Sequence, residues 1–437
     1  MDGDAVDGVS PPFGQRLPSV RTPLPGPESR RQVDVLAQHE CPAVTARRAR
    51  RAAVLGAADD DPVVWEAALG ANVRDVDGNE LVDLTSGFGV ALIGHAHPEV
   101  VAAAAGQASV LPHASGDAWP DRSRIAFLAA LARVAPPGLD VALLGLSGSD
   151  AVEAAVKTAS LATGRTRVIA FEGGYHGLSL GSLPLQGYKA AFSDPFRGLL
   201  RQVVRHLPFG CSVSVLREAL ADGEVGLVMV EPVLGRGGMR PAPAGWLADV
   251  AATARQAGAL VAFDEIQTGC GRTGDLFAGP AAGVVPDLMC IGKALGGGFP
   301  LSACLGTREV MNRWGASKGE ALHTQTFLGH PVGCAAATAV LGILEQQDVP
   351  GRVRIVGQRL QSRLRERGYP VRGRGLMLGV ELGPGRGLGA TRALLRRGYL
   401  TLPAGPDASV LGLTPPVCIS EAQLDGFVEA LTAVVSP

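Results

Sequence analysis

The chain has 437 residues, 46% hydrophobic and 19% charged, with a formal net charge of −1. Such a length calls for two or three packed units, and such a composition belongs to a globular chain rather than a disordered one. The near-balance of charge gives no electrostatic reason for a nucleic-acid or membrane partner, and no apolar run reaches the ~18 residues of a spanning helix. The seven cysteines are scattered, with no CxxC pair. That pattern fits reduced thiols in a cytoplasmic protein better than a disulfide framework or zinc site. Met1-Asp2-Gly3-Asp4 opens no basic-then-apolar pattern, so no secretory signal is expected.

Residues 1–45 begin rich in Pro, Gly and Ser without periodicity, and read as a flexible or loosely docked leader. The short basic run Arg47, Arg48, Arg50, Arg51 reads as a solvated helix face. Trp65 to Leu84 reads as a hairpin around the turn Asp75-Val76-Asp77-Gly78-Asn79. His95 and His97, with no acidic or thiol neighbour in sequence, do not make a metal site, and none is expected. From 100 to 330, short apolar runs alternate with helical stretches. The runs are Val141–Leu144, Val168–Phe171, Leu227–Val230, Leu260–Phe263 and Leu288–Ile291; the helices include 150–162 and 246–257. This is the pattern of an α/β unit with a mostly parallel sheet covered on both faces. Residues 331–437 hold an alanine-rich helix from 335 to 346, apolar segments at 371–380, 399–402 and 410–413, and a closing helix from 421 to 434. These predict a smaller α+β domain.

The chemistry gathers at the ends of the apolar runs. Lys293 follows Leu288–Ile291 and opens a glycine-rich loop, where an apolar wall can strip its proton and free it to attack a carbonyl. Asp264 closes Leu260–Phe263. A buried carboxylate there can hold a heteroaromatic nitrogen protonated, and this lysine–aspartate pair is what pyridoxal 5′-phosphate requires. Ser147-Gly148-Ser149-Asp150 is either an ordinary helix cap or a phosphate-binding turn. In Gly173-Gly174-Tyr175-His176-Gly177, Tyr175 either packs structurally or stacks on a flat cofactor. Thr324 to Pro331 offers hydroxyls before a helix.

Taken in order, Asp83–Pro98, Ser147–Lys157, Tyr175-His176-Gly177, Glu231-Pro232-Val233, Asp264–Gly274, Lys293–Pro300 and Thr326–Pro331 resemble the class III pyridoxal-phosphate aminotransferases, the ornithine, acetylornithine and 4-aminobutyrate aminotransferase group. The resemblance runs from about Val73 to Leu431. It implies fold type I: a large domain with a seven-stranded sheet, a small domain, and a homodimer with sites at the interface. The expected division is a leader at 1–45, the N-terminal part of the small domain at 46–99, the large cofactor-binding domain at 100–330, and the C-terminal small domain at 331–437.

Carried over position by position, Lys293 matches the Schiff-base lysine and Asp264 the pyridinium partner. Tyr175 and Ile266 match the residues covering the two ring faces, and His176 lies within the same motif as Tyr175. Gly148 and Ser149 match the phosphate cradle, Glu231 and Gln267 the supports of the ring and its phenolic oxygen, and Thr326 a phosphate ligand from the partner subunit. The implied reaction moves an amino group from an amino acid or amine to a 2-oxo acid. An amino-acid racemase or epimerase of the same family is the alternative.

Three positions depart from the family pattern. Leu178 and Gly412 stand where carboxylate-binding arginines are usual, and Arg236 stands where a glutamate is common. Arg236 is therefore a candidate substrate-carboxylate anchor, with Leu178 and Leu234 as apolar wall around it.

Overall fold

The computed structural model describes residues 11–41, 62–200, 203–316 and 319–436. The basic run Arg47–Arg51 lies outside the described residues. The central sheet has seven strands: β1 (Val141–Gly145), β2 (Arg167–Phe171), β3 (Val204–Leu207), β4 (Val225–Val230), β5 (Leu260–Asp264), β6 (Leu288–Ile291) and β7 (Ser302–Gly306). Their spatial order is β1-β7-β6-β5-β4-β2-β3, and all but β7 run parallel.

The alternation of side chains explains how one sheet buries two faces. Val168, Ala170, Leu227, Met229, Leu288 and Cys290 pack with Ala151, Val152 and Ala155 of helix Gly148–Thr163. Ile169, Phe171, Val228 and Val230 point the other way, into a cluster with Trp246, Leu247 and Val250 of helix Trp246–Gln256. On β6 and β7, Met289, Ile291, Ala303 and Leu305 join a third cluster with helix Pro331–Gln346. Every residue of β4 and of β6 is buried.

Two smaller four-stranded sheets flank this unit. One orders Trp65–Leu69, Asn72–Asp75, Glu80–Asp83 and Tyr399–Leu400; the other orders Val371–Arg374, Met377–Glu381, Val410–Leu413 and Leu402–Ala404. Val82 and Leu84 share a core with Leu378, Val380, Leu411 and Phe427, so chain segments far apart in sequence close one cluster.

Between 11 and 41 the leader is held more firmly than a loosely docked segment. Asn72 Oδ1 accepts from Gly14 N at 3.0 Å and Arg16 N at 2.8 Å. Asn79 Oδ1 accepts from Arg21 N at 2.7 Å, and the Asp77 carboxylate accepts from Glu28 N and Ser29 N at 2.7 and 2.9 Å. Asp77 and Asn79 of the turn read at Asp75–Asn79, with Asn72 of the strand before it, therefore also satisfy the leader's backbone and cap its helix, Pro27–His39.

His95 has an acidic partner that sequence proximity did not reveal: its Nε2 lies 2.8 Å from Asp83 Oδ2. This is a bracing pair. Among the described residues no group of three or more His, Cys, Asp and Glu side chains is placed to hold a metal ion. No disulfide joins the seven cysteines, and no described helix is long and apolar enough to cross a membrane.

Candidate active site

The carboxyl ends of β1, β2, β4, β5 and β6 converge on one cavity of about 350 Å³. Ligands collect at this edge of open α/β sheets because the loops leaving the parallel strands diverge there. Gly148, Ser149, Tyr175, His176, Leu178, Glu231, Asp264, Ile266, Gln267 and Lys293 all line it. The fold thus brings together ten of the twelve candidate residues. Gln267 and Lys293 also line a second cavity of about 240 Å³, and Arg236 stands there. Thr326 is exposed and lines neither cavity. Leu234 corrects an expectation: it is 2% exposed and packs into the cluster behind the sheet, so it forms no wall around Arg236. Leu178 lines the first cavity and not the one that holds Arg236.

Lys293 follows Gly292 in the left-handed region at φ +45°. A side chain held there carries backbone strain of order 1–3 kcal/mol, which the surroundings must enforce. Ser86–Gly89, also at positive φ, lies beside its side chain; a Cβ on Gly89 would stand 3.8 Å from Lys293 Cδ. Asp83 fixes that bend, with Oδ1 accepting from Thr85 N at 2.7 Å and Oδ2 from Gly87 N at 3.0 Å. Burial lowers the Lys293 pKa to about 8 against the pull of Asp264 and Glu231, and Arg236 and Arg272 push the same way as burial.

Asp264 is 3% exposed. Its Oδ2 accepts from His176 Nδ1 at 2.7 Å and its Oδ1 from Ile266 N at 3.1 Å. Burial disfavours the His176 cation, but the hydrogen bond and charge of Asp264, helped by Glu231, outweigh it and raise the His176 pKa. Glu231 is pushed up to about 7, chiefly by burial. Its oxygens accept from Tyr175 N at 2.7 Å and Gly235 N at 3.0 Å, so one carboxyl fixes the loops carrying Tyr175 and Arg236.

At the far end, Ser147 caps helix Gly148–Thr163 and forms a capping box with Asp150. The first amides of a helix have no intrahelical acceptor and carry partial positive charge, which suits an anion. Glycine is required twice here. A Cβ on Gly148 would meet Ile266 Cδ1 at 2.9 Å, and one on Gly177, at φ +106°, would meet Ser149 Oγ at 2.1 Å.

Several residues of the site were not singled out from sequence. Ser147 and Ser179 line the first cavity, and Phe88, Tyr188, Lys189 and Phe192 line the second. Arg272 is fully buried, with Nη1 donating to Pro415 O at 2.6 Å and Nη2 to Gly89 O at 3.3 Å. Ser147 carried a local signal, the cap before a helix. Tyr188 and Phe192 lie in irregular and 3₁₀ backbone with no period to read.

Comparison with known proteins points to one family. Residues 55–435 match the family model described as aminotransferase class-III. The acetylornithine aminotransferase of Mycobacterium tuberculosis is 38% identical over 405 residues, 90% of this chain and 96% of that protein. That of Methanothermobacter thermautotrophicus is 36% identical over 382 residues, 86% of this chain and 94% of that protein. Among solved structures, an ornithine aminotransferase from Toxoplasma gondii superposes with a TM-score of 0.81 at 27% identity, covering 93% of this chain and 95% of that one. An amine transaminase from an uncultivated Pseudomonas species, in its PLP-bound form, gives 0.78 at 28% identity, covering 86% and 95%.

Proposed function

This chain belongs to the class-III aminotransferase family, and on that premise we propose that its two cavities serve amino-group transfer from an amino acid or amine to a 2-oxo acid, with pyridoxal 5′-phosphate held beside Lys293. The observation that carries the reading is the position of Lys293 in the shared wall of both cavities. One cavity offers what the cofactor needs, and the other remains for the substrate.

The first cavity fits the cofactor by its chemistry. It offers an amine, a buried carboxylate, an aromatic and an aliphatic side chain, and a helix N-terminus. The cofactor offers an aldehyde, a pyridine nitrogen, a flat ring and a phosphate. Lys293 Nζ would hold it covalently. Asp264, braced by His176, would keep the ring nitrogen protonated. Tyr175 and Ile266 would cover the ring faces, Gly148 and Ser149 would take the phosphate, and Glu231 and Gln267 would support the ring's polar edge. When bound, the group supplies an electron sink for the carbanion left at the substrate carbon.

Displaced from the cofactor by the incoming donor amine, Lys293 would do the proton transfer. Its lowered pKa leaves part of the amine neutral near neutral pH, so Nζ can take the proton from the substrate carbon and return it elsewhere. The exposed Thr326 would complete the phosphate site of a second copy in a homodimer. Seven cysteines with no disulfide among them fit a cytoplasmic protein.

The test is a donor reaction without a 2-oxo acid, followed by absorbance of the bound cofactor and by product analysis. An aminotransferase yields one carbonyl product per site, stops, and resumes when a 2-oxo acid is added. Continuous inversion of the donor's stereocentre without carbonyl product would replace this reading with the racemase.

A further inference from the structure

We propose that the second cavity selects an amino donor bearing a carboxylate and a bulky apolar or aromatic part, and turns away donors with a second ammonium group. The proposal rests on the aminotransferase reading above and deepens it. Among the described residues, those lining this cavity with a charge are Arg236, Lys189 and Lys293, and no Asp or Glu lines it. Asp407 feels the Lys189 charge but is not part of the lining. The rest of the wall is largely apolar, with Phe88, Phe192, Met239, Leu388 and Leu402 among it.

Arg236 is built to present a charge. Its guanidinium carbon lies 4.3 Å from the centre of the Tyr175 ring, which holds the charge against the ring face. No carboxylate of the described residues pairs with it. Its carbonyl accepts from Gly405 N at 2.9 Å, and Gly405 O accepts from Tyr188 Oη at 3.0 Å, so the same loops that shape the cavity hold the arginine. A flat guanidinium with open N–H edges binds a carboxylate through two parallel hydrogen bonds.

The positions that could have carried another cation are closed or turned elsewhere. Gly412 lines the cavity, but a Cβ there would already stand 3.1 Å from Met239 Cε and 3.3 Å from Ala404 Cβ. Leu178 faces the first cavity. A carboxylate entering the second cavity therefore finds Arg236, with Lys189 exposed at the rim. A second ammonium would be desolvated beside Arg236 with no acid to receive it, which is costly.

The experiment uses the cofactor-loaded protein and four donors: phenylalanine, 3-amino-3-phenylpropanoate, 1-phenylethylamine and ornithine. The first two place a carboxylate differently beside an aromatic ring; the third lacks the carboxylate; the fourth carries a second ammonium. Conversion of bound cofactor gives kcat/KM for each. At least one carboxylated aromatic donor should exceed both 1-phenylethylamine and ornithine by tenfold or more. In Arg236→Ala its advantage over 1-phenylethylamine should shrink about ten- to a hundredfold, through KM rather than kcat, and Arg236→Lys should restore part of it. Retention of the cofactor's visible band shows that each variant is folded and loaded. Equal or better use of ornithine, or an advantage untouched in Arg236→Ala, overturns the proposal while leaving aminotransfer standing. Failure of every donor, aliphatic amines and amino acids included, would remove the aminotransferase reading and this one with it.

Discussion

Replacing Asp264 with Asn keeps the shape of a 3%-exposed side chain and removes its charge. In the native protein the two oxygens accept from His176 Nδ1 at 2.7 Å and Ile266 N at 3.1 Å. An amide keeps one acceptor for Ile266 N, and its NH₂ can bond His176 only where the neutral ring accepts at Nδ1, so both bonds become neutral and a protonated His176 loses its acceptor. Hydrogen bonds to a charged group contribute about 1.5–3 kcal/mol against about 1 kcal/mol for neutral ones. The larger effect falls on His176, whose pKa sits above its ordinary 6.5 because Asp264 outweighs burial. The His176 contribution to stability is present below 6.5 and is lost as pH rises through the raised folded value. Without Asp264, burial dominates and the sign inverts: the variant loses stability as pH falls through the unfolded value. Thermal unfolding of the cofactor-free protein should therefore show the largest deficit of Asp264→Asn at about pH 5, narrowing toward about pH 8. The donor half-reaction should slow about a hundredfold, ~2.7 kcal/mol, because a neutral partner holds a ring proton poorly. A rate change below threefold, or a stability deficit that does not vary with pH, would refute the role given to this pair.

Lys293→Ala should abolish turnover while cofactor still binds through its phosphate; turnover like the native protein's would contradict the assignment of the amine. Gly177→Ala places a methyl 2.1 Å from Ser149 Oγ in a backbone at φ +106°. Titration should show cofactor binding weakened about ten- to a hundredfold, ~1.4–2.7 kcal/mol, and an unchanged Kd would dispose of the phosphate cradle. Thr326→Ala should raise the cofactor Kd, and sedimentation should find activity only in a dimer or larger species. A fully active monomer would show that Thr326 of one copy does not serve another.

The central sheet was legible where strands are buried on both faces, because each then reads as an unbroken apolar run. Two strands escaped that reading for opposite reasons. Val204–Leu207 lies at the sheet edge, and only Leu207 is buried, so its sequence Val-Arg-His-Leu carries no run. Ser302–Gly306 is wholly buried but is made of Ser, Ala, Cys, Leu and Gly, residues small enough to pass for a loop. Helix Val349–Glu366 hides its stripe in the same way: Val353, Leu360 and Leu364 are buried, while arginines and glutamines fill the turns between. The residues lining the first cavity were legible for a simple reason. Each follows a buried run, so sequence order alone puts it at the same edge of the sheet. The second cavity had no such marker. Phe88 stands on a positive-φ bend, and Tyr188, Lys189 and Phe192 on 3₁₀ and irregular backbone, so they meet only through tertiary packing.

The two arginines that bear on Lys293 illustrate how the fold divides one kind of charge between two tasks. Arg236 and Arg272 both disfavour its cation. Arg272 is 0% exposed and turns its fork into carbonyls of Gly89, Leu376 and Pro415, with burial pulling its pKa down to about 9. Those carbonyls belong to three segments distant in sequence. The first includes the bend against Lys293, and the last adjoins Thr414, which lines the second cavity. Arg272 thus ties the floor of the site together, and its hydrogen bonds are spent on backbone rather than offered to a ligand. Arg236 has the reverse arrangement, held from one side by a ring and open on the other. Two guanidiniums near one lysine therefore disfavour its cation together, while the cavity-facing one is left for the substrate sorting proposed above. Since Gly412 and Leu178 bring no cation to that cavity, the proposed sorting would rest on Arg236.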